Sequence, residues 1–234
     1  MKTLGIVGGL GPESTVDYYR AFVAGYRARV GDGSYPHLLL VSVDLQRVRD
    51  DVTRREYAKV TAHLVAALES LARAGADIAL ISANTPHVVF DEVAARSPLP
   101  LISIVEAACA AAKAAGKQRL ALFGTNFTMR GRFYPEVFER NAVGLVLPKT
   151  DEQDWIHEKY MNELLEGVVL PETREGLLAI ADRLREEDEV DGVLLAGTEL
   201  SLILGPEHER GVPFLDTAKI HVEAALDAVL GGGR

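Results

Sequence analysis

Short apolar runs alternate with longer amphipathic segments along the chain. Eight runs have the length and composition of strands: 4–7, 38–43, 78–82, 101–104, 120–123, 144–147, 193–195 and 214–215. Between them, alanine-rich segments such as 57–74, 104–115 and 173–187 place apolar residues at helical spacing. Strands that are apolar throughout and separated by helices are typical of parallel sheets covered on both faces. The pattern therefore predicts an α/β protein.

Landmarks of the chain recur in the same order in its two halves. Gly8 directly follows one predicted strand, and Gly124 directly follows another. The interval from Gly8 to Asn84 is nearly equal to the interval from Gly124 to Thr198, and Asn84 and Thr198 each follow a buried strand closely. A proline directly before a predicted strand follows each of these residues at nearly the same separation: Pro100 follows Asn84, and Pro213 follows Thr198. This spacing indicates two similar half-molecules.

We expect the half-molecules to be doubly wound parallel-sheet lobes related by pseudo-two-fold symmetry. The first lobe would comprise 1–98 and 212–234, and the second 99–211. Ligands of parallel α/β sheets bind beyond the carboxyl ends of the strands, so we expect a ligand cleft between the lobes. Four loops rich in Gly, Ser, Thr and Asn would line this cleft: 8–15, 83–87, 125–128 and 197–200. Such loops suit a small polar ligand held by backbone N–H groups and hydroxyls.

Composition and charge restrict the classes of function. The net charge of −9 argues against a surface that binds nucleic acid or an anionic membrane. No apolar run reaches the roughly 20 residues of a membrane span, and the first run is too short for a signal peptide. A single cysteine excludes an internal disulfide and a cysteine-based metal cluster. We expect a cytoplasmic protein that binds no nucleic acid, no membrane and no metal ion.

Lone cysteine and histidine residues give weak functional signals. Cys109 lies in an alanine-rich predicted helix away from the loop ends, which favours a buried and inert thiol. His87, His208 and His221 lack metal-ligand spacing. We expect each of these histidines to be hydrogen-bonded or solvated.

The glycine-rich loop at 8–15 leaves three interpretations open. Its glycines approximate a dinucleotide-binding fingerprint, but Pro12 removes an N–H donor and Glu13 places a negative charge beside any pyrophosphate. A tight turn without a ligand is the second interpretation. The third, which we favour, is a cradle whose N–H groups bind a small carboxylate, with Gly9 and Leu10 as contacts.

Two polar pairs follow buried strands at equivalent places in the two halves. Asn84 and Thr85 suit a helix cap, but we expect them to contact a ligand. For Thr198 and Glu199, a helix cap and a ligand contact are equally open. As ligand contacts, Thr198 would bind a carboxylate, and Glu199 would serve as a base or as the partner of an ammonium group. The remaining candidate contacts are two hydroxyls and one guanidinium, from Thr125, Thr128 and Arg47.

Together these residues resemble the aspartate/glutamate racemase family, essentially from end to end. The similar segments are 2–15, 75–77, 83–87, 122–125 with Thr128, 197–199, 214–217 and 220–221. The resemblance implies a homodimeric isomerase that needs no cofactor and acts on an acidic amino acid. It also implies two cysteines, one from each half, which remove and return the Cα proton on opposite faces of the ligand. Thiols suit this task because their pKa lies near the working pH.

The chain departs from the family pattern at both of these cysteines. The pattern places one directly before the Asn-Thr pair and the other before the Thr-Glu pair, where this chain has Ala83 and Gly197. A methyl group and a hydrogen cannot carry protons, so the two-thiol mechanism cannot operate. An enzyme with other bases (Glu199, His87 or Asp44), such as an isomerase or a decarboxylase, and a catalytically silent carboxylate-binding protein remain open. A nucleotide-dependent oxidoreductase is the weakest alternative.

Overall fold

The computed structural model describes residues 1–231 and divides into two compact units. The first unit comprises Met1–Ile104 together with the chain from Ala218 onward, and the second comprises Val105–Thr217. Residues 232–234 lie outside the described part of the chain.

Strands and helices alternate through both units. The strands of the described residues are β1 (Leu4–Gly8), β2 (Leu38–Ser42), β3 (Ile78–Ile81), β4 (Leu101–Ile102), β5 (Arg119–Gly124), β6 (Gly144–Val146), β7 (Gly192–Ala196) and β8 (Phe214–Asp216). The α-helices are α1 (Pro12–Val30), α2 (Leu45–Thr53), α3 (Tyr57–Arg73), α4 (Phe90–Arg96), α5 (Ile104–Ala114), α6 (Asn126–Met129), α7 (Phe133–Arg140), α8 (Thr150–Asn162), α9 (Pro171–Asp188), α10 (Leu200–Ile203) and α11 (Thr217–Leu230). Short 3₁₀ helices span Thr85–Val89, Leu164–Glu166 and Pro206–His208.

Each unit is built on a four-stranded, fully parallel sheet. The strand order is β2-β1-β3-β4 in the first unit and β6-β5-β7-β8 in the second, the same order in each half of the chain. The prediction of two similar parallel-sheet lobes in an α/β protein is therefore confirmed.

Strand pairing sets the boundaries between the units, which differ from the predicted divisions after 98 and after 211. β4 pairs with β3 and so belongs to the first sheet, although the sequence placed its residues in the second lobe. β8 pairs with β7 and belongs to the second sheet, although the sequence placed it in the first lobe. The chain consequently leaves the first unit after Ile104 and returns to it after Thr217.

Alternate residues of the central strands pack on opposite faces of the first sheet. Leu4 and Ile6 of β1 contact a cluster with residues of α1 and α11, whereas Val7 joins a cluster with α2 and α3. This two-residue alternation follows from strand geometry, and burial on both faces explains the continuous apolar runs in the sequence. The second sheet uses the same arrangement, with Phe123 of β5 packed against α8 and α9.

The last helix completes the first unit. The fit between α1 and α11 is close, because a Cβ at Gly25 would lie 2.5 Å from a methyl carbon of Leu226. Arg29 of α1 forms ion pairs with Glu223 and with Asp227, the latter at 2.6 Å. Among residues 1–231, none of the helices has the length and hydropathy that a membrane crossing requires.

Two buried histidines fix the chain where β4 leads into α5. His87 donates from Nδ1 to the Ala83 carbonyl at 2.9 Å and accepts the Ile104 N–H at Nε2 at 3.2 Å. His221 donates from Nε2 to the Ile102 carbonyl at 2.9 Å, and its Nδ1 accepts the Tyr18 hydroxyl at 3.0 Å. Each ring therefore uses both nitrogens and is neutral. The expectation that these two histidines are hydrogen-bonded is confirmed.

Burial makes the charged form of these histidines costly. It lowers the pKa of His87 to about 3, assisted by the neighbouring His221, and lowers the pKa of His221 to about 4. Both values lie below that of an unfolded histidine, so the unfolded chain binds more protons in mild acid. Their contribution to stability is complete above about pH 6.5 and is lost as the pH falls towards 4 and 3.

We predict that the free energy of unfolding falls between pH 6.5 and 5, because both histidines gain protons on unfolding. In His221→Gln the average slope should be smaller by about 1 kcal/mol per pH unit, since an unfolded histidine is half protonated at pH 6.5 and almost fully protonated at pH 5. Urea unfolding at a series of pH values measures this slope. His37→Gln, at an exposed position, is the matched control and should leave the slope unchanged; an unchanged slope in His221→Gln would contradict the assignment.

Candidate functional site

The predicted polar loops follow the central strands of each sheet. In the first unit they come after β1 and β3, which are hydrogen-bonded neighbours. In the second unit they come after β5 and β7, which are also neighbours. Parallel strands end at the same edge, so each unit brings two of the four loops together at the carboxyl edge of its sheet.

The glycine-rich loop of the first unit is held largely by its own hydrogen bonds. Gly9 has φ +79°, and a Cβ there would lie 2.5 Å from the Val43 carbonyl oxygen, so only glycine fits. The Gly9 N–H donates to Thr15 Oγ1 at 3.0 Å, and the Thr15 hydroxyl donates to the Gly11 carbonyl at 2.9 Å. The N–H of Gly9 is thus used within the turn. Leu10 is buried in the apolar core beside this loop.

Ala83 and Asn84 are buried directly after β3. Asn84 precedes the 3₁₀ helix over Thr85–Val89, but its side chain does not cap that helix. Thr85 is half-buried. The capping interpretation of Asn84 is therefore wrong, since the amide does not bond the helix start.

Three other residues considered for the first unit have structural roles or lie exposed. The Asp44 carboxylate caps α2 by accepting the Arg47 N–H at 3.3 Å, and the Arg47 side chain is exposed. Because both ring nitrogens of His87 are hydrogen-bonded, that residue is not a base in this structure.

The loop after β5 carries two buried threonines. Thr125 caps α6 by accepting the Thr128 N–H at 3.3 Å. The two hydroxyl oxygens lie 3.3 Å apart, and Thr128 has no exposed surface. Capping of the short helix brings these hydroxyls together beside the end of the strand.

At the end of β7, an aromatic ring fills the space beside Gly197. A Cβ at position 197 would lie 2.5 Å from Cε2 and 3.3 Å from the hydroxyl oxygen of Tyr160, which extends from α8. The space that a side chain at position 197 would enter is thus filled by the Tyr160 ring. Tyr160 is 6% exposed.

Glu199 is buried and accepts two hydroxyl hydrogen bonds. Its Oε2 accepts the Tyr160 hydroxyl, and it accepts the Thr198 hydroxyl at 2.7 Å. It precedes α10 but does not cap it with its side chain. Burial, followed by the charge of Glu199, raises the pKa of the Tyr160 phenol well above its usual value. The result is a buried cluster of one carboxylate and two hydroxyls.

Cys109 lies in α5, away from the ends of the central strands. It is 1% exposed, and its Sγ lies 4.0 Å from the Val137 carbonyl oxygen. Burial raises the pKa of this thiol, which keeps it protonated and unreactive. The expectation of a buried thiol is confirmed.

Sequence reasoning missed Tyr160. It is far from Glu199 along the chain and carries no motif of its own, so no spacing rule connects the two. The one available signal was indirect: a glycine in place of a larger residue after a buried strand leaves a space that some other side chain must fill.

Comparison with known proteins identifies the same family over nearly the whole chain. A family model described as Asp/Glu/Hydantoin racemase matches residues 7–225. The broad specificity amino-acid racemase RacX of Bacillus subtilis is 22% identical over 233 residues, covering 97% of this chain and 98% of that protein.

Solved structures show the same architecture. A candidate Asp/Glu racemase from Yersinia pestis matches with a TM-score of 0.90 and 29% identity, covering 98% of this chain and all of the other. An aspartate racemase homologue from Pyrococcus horikoshii matches with a TM-score of 0.85 and 29% identity, over 98% of this chain and all of the other. By its sequence match and its fold, this chain belongs to the Asp/Glu/Hydantoin racemase family.

Proposed function

We propose that this family member binds an acidic amino acid or a related small carboxylate and does not racemise it with two thiols. The observation that carries the proposal is the identity of two positions at equivalent strand ends. Ala83 follows β3 and Gly197 follows β7, and neither supplies a proton-carrying group. The chain's one cysteine, Cys109, is a buried thiol in α5.

Donors at the strand ends support the binding part of the proposal. Hydroxyls and amides donate hydrogen bonds to carboxylates, and these groups are kept in both units. The proposed contacts are Gly9, Leu10, Arg47, Asn84, Thr85, Thr125, Thr128 and Thr198. The similar proteins are named for amino-acid or aspartate racemases, which favours an amino-acid ligand.

Family resemblance extends the proposal to the protein's setting. We propose that it acts in the cytoplasm as a homodimer without a cofactor or a metal ion. A sedimentation experiment that finds only monomer would contradict the dimer.

Two versions of this function differ in whether chemistry follows binding. A silent binding protein would hold the ligand without turnover. An isomerase or decarboxylase would need a base or acid other than a thiol. The cluster of Glu199, Tyr160 and Thr198 favours the second version, because a carboxylate hydrogen-bonded to a phenol can move a proton.

We predict that L- or D-aspartate or glutamate raises the thermal unfolding temperature of the wild-type protein. A ligand at 100 times its Kd stabilises the folded state by about 2.7 kcal/mol. The double variant Asn84→Ala/Thr198→Ala should lose this ligand-induced shift, because the polar groups of both proposed contact residues are gone. Thermal unfolding with and without each acid measures the shift.

The matched control replaces the same residue types at exposed positions. Asn162→Ala/Thr53→Ala should keep the full ligand-induced shift. An undiminished shift in the Asn84→Ala/Thr198→Ala protein would show that the ligand binds elsewhere.

A second prediction concerns the space beside Gly197. Gly197→Ala should destabilise the protein by about 1–3 kcal/mol, because the added methyl group overlaps the Tyr160 ring. In a Tyr160→Leu background the same substitution should cost little, which a double-mutant cycle of urea unfolding measures. Gly144→Ala is the control, since a Cβ there has its nearest contact at 3.4 Å. Equal costs of Gly197→Ala in both backgrounds would refute the steric coupling.

A further inference from the structure

We propose that Tyr160 and Glu199 form a proton relay that takes the place, in the second unit, of the thiol missing at Gly197. The relay acts on the Cα–H bond of a bound amino acid or related carboxylate, from one face only. This inference rests on the proposed function, which supplies the ligand.

The phenol of Tyr160 lies close to the side-chain position of residue 197. Its oxygen lies 3.3 Å from where the Cβ of residue 197 would be, so it lies next to the volume that a cysteine side chain there would occupy. The absence of a Cβ at Gly197 is what leaves room for the ring. A group able to carry a proton therefore stands beside the position of the thiol, although it comes from a different element.

The phenol has a buried carboxylate as its hydrogen-bond partner. A buried carboxylate is costly unless hydrogen bonds compensate it, and Glu199 receives two at Oε2. Neither bond caps α10, so the cluster is not explained by the needs of the helix end. It places an acceptor for the phenolic proton in direct contact with the phenol.

The step balances without any further reactant. The Cα–H bond breaks, its electron pair stays on the ligand as an enolate-like carbanion, and the proton goes to the Tyr160 oxygen. At the same time the phenolic proton moves to Oε2 of Glu199, which becomes a neutral carboxylic acid. The reverse transfer restores all three groups.

Tyr160 is neutral before and after this transfer, so no free phenolate forms beside the carboxylate. The raised pKa of the phenol is compatible with such a role, since it disfavours only the phenolate. In water enriched with deuterium, the exchangeable protons of the relay are replaced by deuterons, and the ligand acquires the label.

The first unit offers no matching group at its equivalent position. Ala83 has a methyl side chain, and both nitrogens of the nearby His87 are hydrogen-bonded. The relay acts from one side of the ligand, so a proton that it removes returns to the same face. The expected outcome is Cα-proton exchange with retained configuration.

The experiment follows the Cα-proton signal of L- and D-aspartate and glutamate by NMR in heavy water, with a thermal shift on the same samples. Wild-type protein should exchange the Cα proton of a ligand that it binds. Tyr160→Phe keeps the ring and should lower the exchange rate by at least about 100-fold while ligand binding persists. Tyr134→Phe, at a second fully buried tyrosine of the same unit, is the matched control and should exchange at the wild-type rate.

Glu199→Gln provides an independent variant if Tyr160→Phe does not fold. Its amide oxygen still accepts the phenolic hydrogen bond but is a poor base, so exchange should also fall by at least about 100-fold. Binding without exchange in the wild type would overturn the relay and leave the proposed function standing. Wild-type exchange rates in folded Tyr160→Phe or Glu199→Gln would overturn the relay as well. Neither binding nor exchange of any of the four acids would overturn the proposed function and the relay together.

Discussion

Parallel strand pairing is the constraint on which the structure depends. A parallel sheet needs a crossover after every strand, so each strand enters from the same edge and all of them end at the opposite edge. Both faces of such a sheet are covered, which requires strands as apolar as β1, β3, β5 and β7. Next to the central strands, polar residues are then found mainly in the loops that follow them. The grouping of hydroxyls, amides and glycines in those loops is a consequence of this topology, and it makes the carboxyl edges the places where chemistry can occur.

At these carboxyl edges, single residues that take no part in strand pairing can decide the function. Residues 83 and 197 follow buried strands and take no part in the strand pairing before them. The absence of a side chain at Gly197 nevertheless matters for packing, because the Tyr160 ring occupies the adjoining space. The ring in turn brings its hydroxyl to Glu199, which buries a carboxylate at the edge of the second sheet. The absence of a side chain at Gly197 is thereby linked to a buried pair of phenol and carboxylate.

The sequence predicted the elements well and their long-range partners poorly. All eight strands were found because each carries an apolar run, which is longest in the central strands that are buried on both faces. The boundaries between the lobes were misplaced because β4 and β8 are short, and nothing local says which sheet a short apolar run will join. The hydrogen bonds between Tyr18 and His221 and between Tyr160 and Glu199 join residues that are far apart in the chain. Such pairs depend on packing, which has no periodic signature, and they explain why Asn84 could be proposed from sequence while Tyr160 could not.

The central claim is that this member of a racemase family cannot invert its ligand by two-thiol chemistry. Chiral chromatography of L-aspartate and of L-glutamate after prolonged incubation with the wild-type protein tests it most directly, with D-aspartate and D-glutamate as the reverse reactions. We predict that each acid keeps its original configuration, since the proposed relay of Tyr160 and Glu199 acts on one face only. Formation of the opposite enantiomer, at a rate proportional to protein concentration, would contradict this prediction and would require a second proton carrier.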